Sequence, residues 1–186
     1  MSGALVRAGF DISQPPENNT METKSQDVIA LLKKDHQEVK KLFKQFEQSE
    51  KSNEKNKLAA EICQMLTVHA TCEEELVYPA AREVFDEEDQ KLVSEAAIEH
   101  ATAKDLIAKI EAMTASDDDF EPTVKVLSEY INHHVEEEEG EMFPRMKKSD
   151  LDLDDLGRRV TERKEELMES SGAKDKRRRP AAARAR

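Results

Sequence analysis

Apolar residues recur every three or four positions through four stretches of this chain, which polar breaks around residues 49–55, 86–90 and 114–122 separate. Such a period predicts amphipathic helices. With no tryptophan, five glycines and six prolines, and with abundant Glu, Lys, Leu and Ala, the composition also favours long helices over a sheet. Short connections are typical of helices that lie side by side. The sequence therefore predicts an all-α fold, an up-down-up-down four-helix bundle.

The predicted helices cover residues 26–48, 55–84, 89–113 and 122–148. Their inward apolar residues are, helix by helix, Ile29, Leu32, Val39, Phe43 and Phe46; Ile62, Leu66, Leu76 and Ala80; Val93, Ala96, Ala103, Ile107 and Ile110; and Val124, Leu127, Ile131 and Met142. Pro79 should kink the second helix or break its last turn, because proline lacks a backbone donor. A weaker amphipathic stretch at 153–168, with Leu156, Val160 and Leu167 on one side, is expected to pack outside the bundle.

The two ends of the chain differ from the bundle in composition. Residues 1–24 contain Gln14-Pro15-Pro16 and show no apolar period, which predicts a flexible leader. The bundle is expected over 25–148, the C-terminal helix over 149–170 and a basic disordered tail over 171–186. Residues 173–186 carry seven Lys or Arg and one Asp, a charge of +6, so the rest of a chain of net charge −12 carries −18.

Nothing in the sequence indicates a membrane span or a secretory signal. No apolar run approaches the ~20 residues that cross a bilayer, and the first ten residues lack a basic start followed by an apolar stretch. A cytoplasmic protein with no membrane partner is predicted. Cys63 and Cys72 form no CxxC motif, and in a reducing compartment they are expected to be core thiols rather than a disulfide.

Each predicted helix carries one histidine on its apolar stripe, and two helices add a glutamate one turn later. The predicted inward polar residues are His36, His69, Glu73, His100, His134 and Glu138. The HxxxE pairs recur at an offset of 65, and Asp35-His36 matches Glu99-His100 at an offset of 64. Two helix pairs related by a pseudo-two-fold axis would bring two equivalent ligand sets face to face.

Two carboxylates inside a helical core need cations or protons, because a buried unpaired acid costs several kcal/mol. No arginine lies on the inward stripes, whereas metal ions would neutralise both acids and use the imidazoles. A lone inward histidine is more often a core residue that hydrogen-bonds a backbone carbonyl, but four at matching positions favour a metal site. Imidazole and carboxylate without thiolate suit Fe, Mn or Zn, and the repeat fits two metals bridged by two carboxylates.

His133 has to be distinguished from its neighbour His134. The helix face that carries His133 would also carry Val126, Tyr130, Glu137 and Glu141. This face is more polar than the face that carries His134. His134 and Glu138 are therefore assigned as inward and His133 as a flanking residue, with the reverse assignment left open.

The HxxxE order resembles the hemerythrin family, specifically bacterial proteins with the HHE cation-binding domain. The resemblance covers residues 26–148, and the segments that carry it are 35–39 (DHQEV), 69–75 (HATCEEE), Glu99-His100 and 133–144 (HHVEEEEGEMFP). It implies two non-heme iron ions, oxo- or hydroxo-bridged, with Glu73 and Glu138 bridging them. The ExxH order of ferritin-like di-iron proteins does not occur in the sequence.

One position departs from the oxygen-carrying members of that family. Where they have a fifth histidine, one turn after the third-helix ligand, this chain has Lys104. Four imidazoles, two bridging carboxylates and the bridge then leave two octahedral positions without a ligand, where five histidines would leave one. Either Glu74 or Glu139 closes one of them, or both stay open to water and small ligands.

These features predict a di-iron protein that binds a small diatomic ligand (O2 or NO) or peroxide, for sensing, storage or oxidative and nitrosative stress protection. A peroxidase- or catalase-like enzyme and an iron-handling protein are the alternatives. A third reading is an interaction module, in which the basic run at 176–179 contacts phosphate backbones. No aromatic residues interleave that run, so a nucleic-acid partner is not expected, and the oligomeric state stays open.

Overall fold

The computed structural model of the chain describes residues 27–178, and over that range every regular element is helical. The α-helices are α1 (Val28–Gln48), α2 (Ser52–Cys72), α3 (Tyr78–Val84), α4 (Asp89–Glu111), α5 (Phe120–Glu137), α6 (Phe143–Lys148) and α7 (Leu153–Arg178). Two π-helical turns, Glu73–Val77 and Glu138–Met142, join α2 to α3 and α5 to α6 without a break. The predicted all-α, up-down-up-down bundle with an extra C-terminal helix is confirmed.

The ends of the prediction lie partly beyond this range. The leader at 1–24 and residues 179–186 of the basic tail lie outside the described residues. Helix α7 continues to Arg178, eight residues past the predicted end of the C-terminal helix. Over residues 27–178 no helix is both long and apolar enough to cross a membrane.

The core consists of two apolar clusters, and the inward histidines and glutamates lie between them. On α1, Leu32 belongs to one cluster and Val39 to the other, with His36 between them. On α4, Ala96 and Ala103 flank the histidine in the same way. Each helix can place a polar residue in the middle of the core because apolar side chains above and below it supply the packing energy, ~1.5–3 kcal/mol for each large one.

The π-turns change the register of the inward face. After Glu73 the buried residues are Val77 and Ala81, whereas the predicted Leu76 and Ala80 are only partly buried. In the turn the Tyr78 amide donates to the carbonyl of Glu73, five residues back, so one extra residue enters the helix. The prediction for these two core positions is therefore wrong by one residue.

Pro79 is accommodated without ending the helix. It lies in the first turn of α3, directly after the π-turn, where a missing backbone donor is tolerated. Pro144 occupies the same place in α6 after the second π-turn. The proline thus coincides with a wider helical turn, and of the predicted kink or break, the break does not occur.

Helix α7 covers one side of the bundle, against α1 and α2. Leu156 and Val160 are buried there, and Leu167 packs against the same cluster. Arg163 on α7 forms an ion pair of 2.7 Å with Glu75. The opposite side, between α4 and α5, has no such cover among the described residues.

The two cysteines are free thiols in the core. Cys63 and Cys72 are each 1% exposed and form no disulfide. Burial raises the pKa of Cys63 to about 12 and that of Cys72 to about 11. Both side chains therefore stay protonated and act as small apolar groups.

Candidate metal centre

The structure brings together all six residues that the sequence places inward. Each is at most 7% exposed, and they come from α1, α2, α4, α5 and the first residues of the two π-turns. They are His36, His69, Glu73, His100, His134 and Glu138.

The four imidazoles present the same ring nitrogen to the centre. Nε2 of His36 lies 3.3 Å from Nε2 of His69, and Nε2 of His100 lies 3.2 Å from Nε2 of His134. The histidines thus form two pairs, one from α1 and α2 and one from α4 and α5. This grouping is the pseudo-two-fold arrangement that the repeat predicted.

Each glutamate lies between the two histidine pairs. Oε2 of Glu73 is 3.1 Å from Nε2 of His69 and 3.4 Å from Nε2 of His100. Oε2 of Glu138 is 3.4 Å from Nε2 of His36 and 3.6 Å from Nε2 of His134. Either carboxylate could therefore bridge two cations, one bound to each pair.

A carboxylate lies behind every imidazole, at Nδ1. Since a carboxylate only accepts, each Nδ1–H donates to it, and Nε2 is the nitrogen that can bind a cation once it carries no proton. The four pairs and their distances are His36–Glu139 at 2.9 Å, His69–Asp35 at 3.4 Å, His100–Glu74 at 3.1 Å and His134–Glu99 at 2.7 Å. All four rings are thus oriented for metal binding through Nε2.

Three of these outer carboxylates are in turn paired with lysines. The pairs are Lys33–Glu139 at 3.0 Å, Lys104–Glu74 at 2.5 Å, and Lys164–Asp35. Lys104, which stands where oxygen carriers have a fifth histidine, thus supports the carboxylate behind His100. Glu74 and Glu139 lie on the outer side of the rings, which favours two open positions over the alternative that either carboxylate closes one.

Tyr78 also belongs to the centre, although apolar spacing does not assign it there. Its hydroxyl donates a hydrogen bond of 3.0 Å to Oε1 of Glu138 and lies 3.1 Å from Nε2 of His100. The repeat aligns Tyr78 with Phe143, whose ring stacks on His36 at 5.9 Å between centroids. The two halves of the repeat thus differ at this position, tyrosine in one and phenylalanine in the other. This difference in the sequence indicates an asymmetric centre, with a hydroxyl on one side only.

Burial and neighbouring charges shift the pKa values of several groups in the centre. Burial alone would lower the pKa of His134, but the charge of Glu138 and the hydrogen bond to Glu99 raise it to about 9. Burial would raise the pKa of Glu138, yet His134 and His36 lower it to about 2. Burial and the charge of Glu138 raise the pKa of Tyr78 well above its ordinary value, so the phenol remains a donor. A proton on His134 thus balances part of the negative charge of the carboxylates when metal is absent.

The donor set fits bound cations. Both oxygens of Glu73 and Oε2 of Glu138 are fully buried and accept no hydrogen bond. Buried polar atoms nearly always have a partner, so these oxygens need one. Four imidazole nitrogens beside them complete a set typical of iron, manganese or zinc.

An apolar cavity of about 20 Å3 opens beside the centre. Its walls include Val39, Leu66, Ala103 and Ile107, together with all four inward histidines. This volume suffices for one molecule of the size of water.

His133 points away from the centre. It is 62% exposed and lies 3.2 Å from Glu137, which is itself only partly buried. Burial and the neighbouring charge of Glu99 raise the pKa of Glu137. The geometry therefore favours His134 and Glu138 as the inward pair and leaves His133 and Glu137 near the surface.

The comparison with protein families agrees with this geometry. The model of the hemerythrin HHE cation-binding domain matches residues 27–146. The chain belongs to this family.

Two proteins are similar to this chain in sequence. A DNA nickase from Nostoc sp. (strain PCC 7120) is 31% identical over 142 residues, which cover 76% of this chain and 37% of that protein. An uncharacterized hemerythrin-like protein from Schizosaccharomyces pombe is 30% identical over 83 residues, which cover 45% of this chain and 41% of that protein. The chain thus matches about two fifths of the length of either relative.

The crystal structure of a hemerythrin HHE cation-binding domain-containing protein from Mycobacterium kansasii shares the fold. It aligns with a TM-score of 0.70 and 25% identity, covering 84% of this chain and 96% of that one.

Proposed function

We propose that this hemerythrin domain holds two non-heme iron ions and uses them to bind O2, NO or peroxide, in sensing, storage or protection from oxidative and nitrosative stress. The observation that carries the proposal is the pair of buried carboxylates between two histidine pairs, with three oxygens that accept no hydrogen bond. His36 and His69 would hold one iron, and His100 and His134 the other. Glu73 and Glu138 would bridge them.

The iron pair, when bound, supplies redox and ligand-binding chemistry that the side chains lack. The chain contributes the surroundings of the ligand. The apolar cavity admits a small neutral molecule and excludes large reductants, and the hydroxyl of Tyr78 holds Oε1 of Glu138 by a hydrogen bond. The four outer carboxylates hold the imidazoles in place.

Metal analysis of the protein as purified tests the centre. We expect about two irons per chain and the near-ultraviolet absorption of a bridged iron pair. The double variant His69→Ala/Glu73→Ala should lose both, whereas Glu61→Ala, an exposed acid on the same helix, should keep both. Iron retained in the double variant would refute the ligand assignment.

Ligand-difference spectra then separate a binder from an enzyme. A binding protein should give stable difference spectra with O2, NO or peroxide. Continuous consumption of peroxide by the iron-loaded protein, absent from the metal-free protein, would favour the peroxidase- or catalase-like alternative. Iron release on reduction without any ligand spectrum would favour iron handling.

A nucleic-acid role is the second candidate, favoured by the similarity to a DNA nickase over 76% of this chain. The basic run at 176–179 is the segment of the sequence suited to phosphate contacts. Truncation after Gly172 should then abolish salt-dependent retention on DNA while the iron content stays the same. Equal retention of the truncated chain would remove this candidate.

A further inference from the structure

One of the four outer carboxylates differs from the rest in its surroundings. Three of them pair with a lysine. The fourth, Glu99, has no lysine or arginine within 4.0 Å in the part of the chain that the structure describes. Its Oε2 accepts from His134, and its Oε1 lies 3.9 Å from Nε2 of His133. Glu99 therefore connects the buried centre with a surface histidine.

Glu99, His133 and Glu137 form a compact group, hereafter the outer cluster. Nε2 of His133 lies 3.2 Å from Oε1 of Glu137, and one ligand atom from each of the three residues lies within 4.8 Å of the others. One imidazole and two carboxylates make up a donor set suited to divalent first-row metals. We propose that the outer cluster is a second cation site, through which Fe2+ enters the inner centre.

A crevice of about 10 Å3 lies between the two groups, lined by Glu99 and Glu137 of the outer cluster and by His134 and Glu138 of the inner centre. The apolar side chains of Leu92, Ala96 and Met142 complete its walls. Carboxylates line it at increasing depth, from the exposed Glu95 past Glu137 and the buried Glu99 to Glu138. At its inner end, Oε2 of Glu138 is fully buried and accepts no hydrogen bond. A cation that moves inward therefore meets a carboxylate at each step, which lowers the cost of leaving water.

The equivalent route in the other half of the repeat is closed. At an offset of 65, Val68 and Cys72 replace His133 and Glu137, and both are buried. The counterpart of Glu99 is Asp35, which is paired with Lys164 of α7. A lysine ammonium there repels cations. The repeat thus duplicates the inner ligands but provides donors for an outer site only on the α4–α5 side, which α7 does not cover.

The outer cluster can bind a cation whether or not the proposed function holds, whereas its role in iron entry rests on the proposed function. Titration of the metal-free, full-length chain with Mn2+ measures the site. The loss of the electron paramagnetic resonance signal of free Mn2+ reports how much of the ion is bound. We expect two tight equivalents and one weaker equivalent. His133→Gln and Glu137→Gln should each weaken the third equivalent by about tenfold or more and keep the two tight ones. Glu136→Gln, an exposed acid on the same helix, should change none of them.

Anaerobic Fe2+ loading tests the route. Loosely bound iron is removed with a chelator at successive times, and the iron that stays is counted. The His133→Gln and Glu137→Gln variants should load about tenfold more slowly to the same final content, and Glu136→Gln should load at the wild-type rate.

An unchanged third equivalent in both outer variants, or an equal effect of Glu136→Gln, would overturn the outer site. A lost third equivalent with unchanged loading would overturn the route. A wild-type chain without two tight equivalents would refute the proposed function instead, while the weaker equivalent would still report on the outer cluster.

Discussion

The hydroxyl of Tyr78 donates a hydrogen bond of 3.0 Å to Oε1 of Glu138, a residue 60 positions later in the chain. The same oxygen of Tyr78 lies 3.1 Å from Nε2 of His100, within the centre itself. Because the repeat places Phe143 in the other half, the centre has a hydrogen-bond donor on one side and an apolar ring on the other. The two histidine pairs therefore have chemically distinct surroundings.

Tyr78→Phe should change the ligand spectra of the iron-loaded protein without changing its iron content. The variant removes the single hydroxyl and leaves Oε1 of Glu138 without its donor. We expect altered O2, NO or peroxide difference spectra and about two irons per chain. Tyr130→Phe, at the chain's other tyrosine, is the control and should behave as wild type. Identical spectra for both variants would show that the phenol plays no part in ligand binding.

Glu74→Ala and Glu139→Ala should weaken metal binding to a similar degree. Each removes the carboxylate behind one imidazole, from His100 and His36 respectively. Loss of such a partner typically costs about 10–100-fold in metal affinity. Competition with a chelator of known affinity measures the effect. A wild-type affinity in either variant would mean that packing alone orients that ring.

Lys104→Ala should have a much smaller effect than Glu74→Ala. The ion pair between Lys104 and Glu74 is half-exposed, and such pairs contribute ~0–1 kcal/mol. The carboxylate remains within reach of His100 when the lysine is removed. We expect nearly wild-type metal affinity and a small decrease in the melting temperature. A loss as large as that of Glu74→Ala would show that the lysine fixes the carboxylate.

The periodicity of the sequence was enough to find the bundle and to place all six inward residues together. Spacing shows which face of a helix a residue occupies, and His36 or Glu138 lies on its stripe whatever the details of the turn. The π-turn at Glu73–Val77 could not be predicted from the sequence. Leu76 and Val77 are both apolar, so the spacing of apolar residues does not show that one extra residue enters the helix there. For the same reason Tyr78 was not assigned to the centre.

The partners of the imidazoles at Nδ1 could not be predicted from local patterns. Asp35 precedes His36 in the chain but contacts His69 of the next helix, 34 residues away. Such pairs depend on the relative rotation of two helices, which sequence spacing does not fix. The pairing of Lys164 with Asp35 likewise required the position of α7.

Metal binding should raise the melting temperature, and Glu73→Gln should abolish most of that rise. At a free metal concentration about 100 times the dissociation constant, binding adds ~2.7 kcal/mol, or roughly 5–10 °C for a chain of this size. The amide removes the charge that bridges the two histidine pairs. Differential scanning calorimetry with and without Mn2+ measures the shift. An equal shift in the variant would argue against a bridging role of Glu73.

Metal binding should release protons, and the apparent affinity should rise with pH. The pKa of His134 in the metal-free protein is raised from 6.5 to about 9, so near neutral pH a proton occupies the imidazole and must leave before Nε2 can bind a cation. The charge on His134 stabilises the metal-free fold fully below pH 6.5, and this contribution is lost as the pH rises through about 9. Raising the pH thus removes the competing proton and weakens the metal-free state. Calorimetric titration with Mn2+ in buffers of different ionisation enthalpy counts the protons, and we expect the number to fall as the pH approaches 9. A pH-independent affinity over this interval would mean that His134 is already neutral before metal arrives.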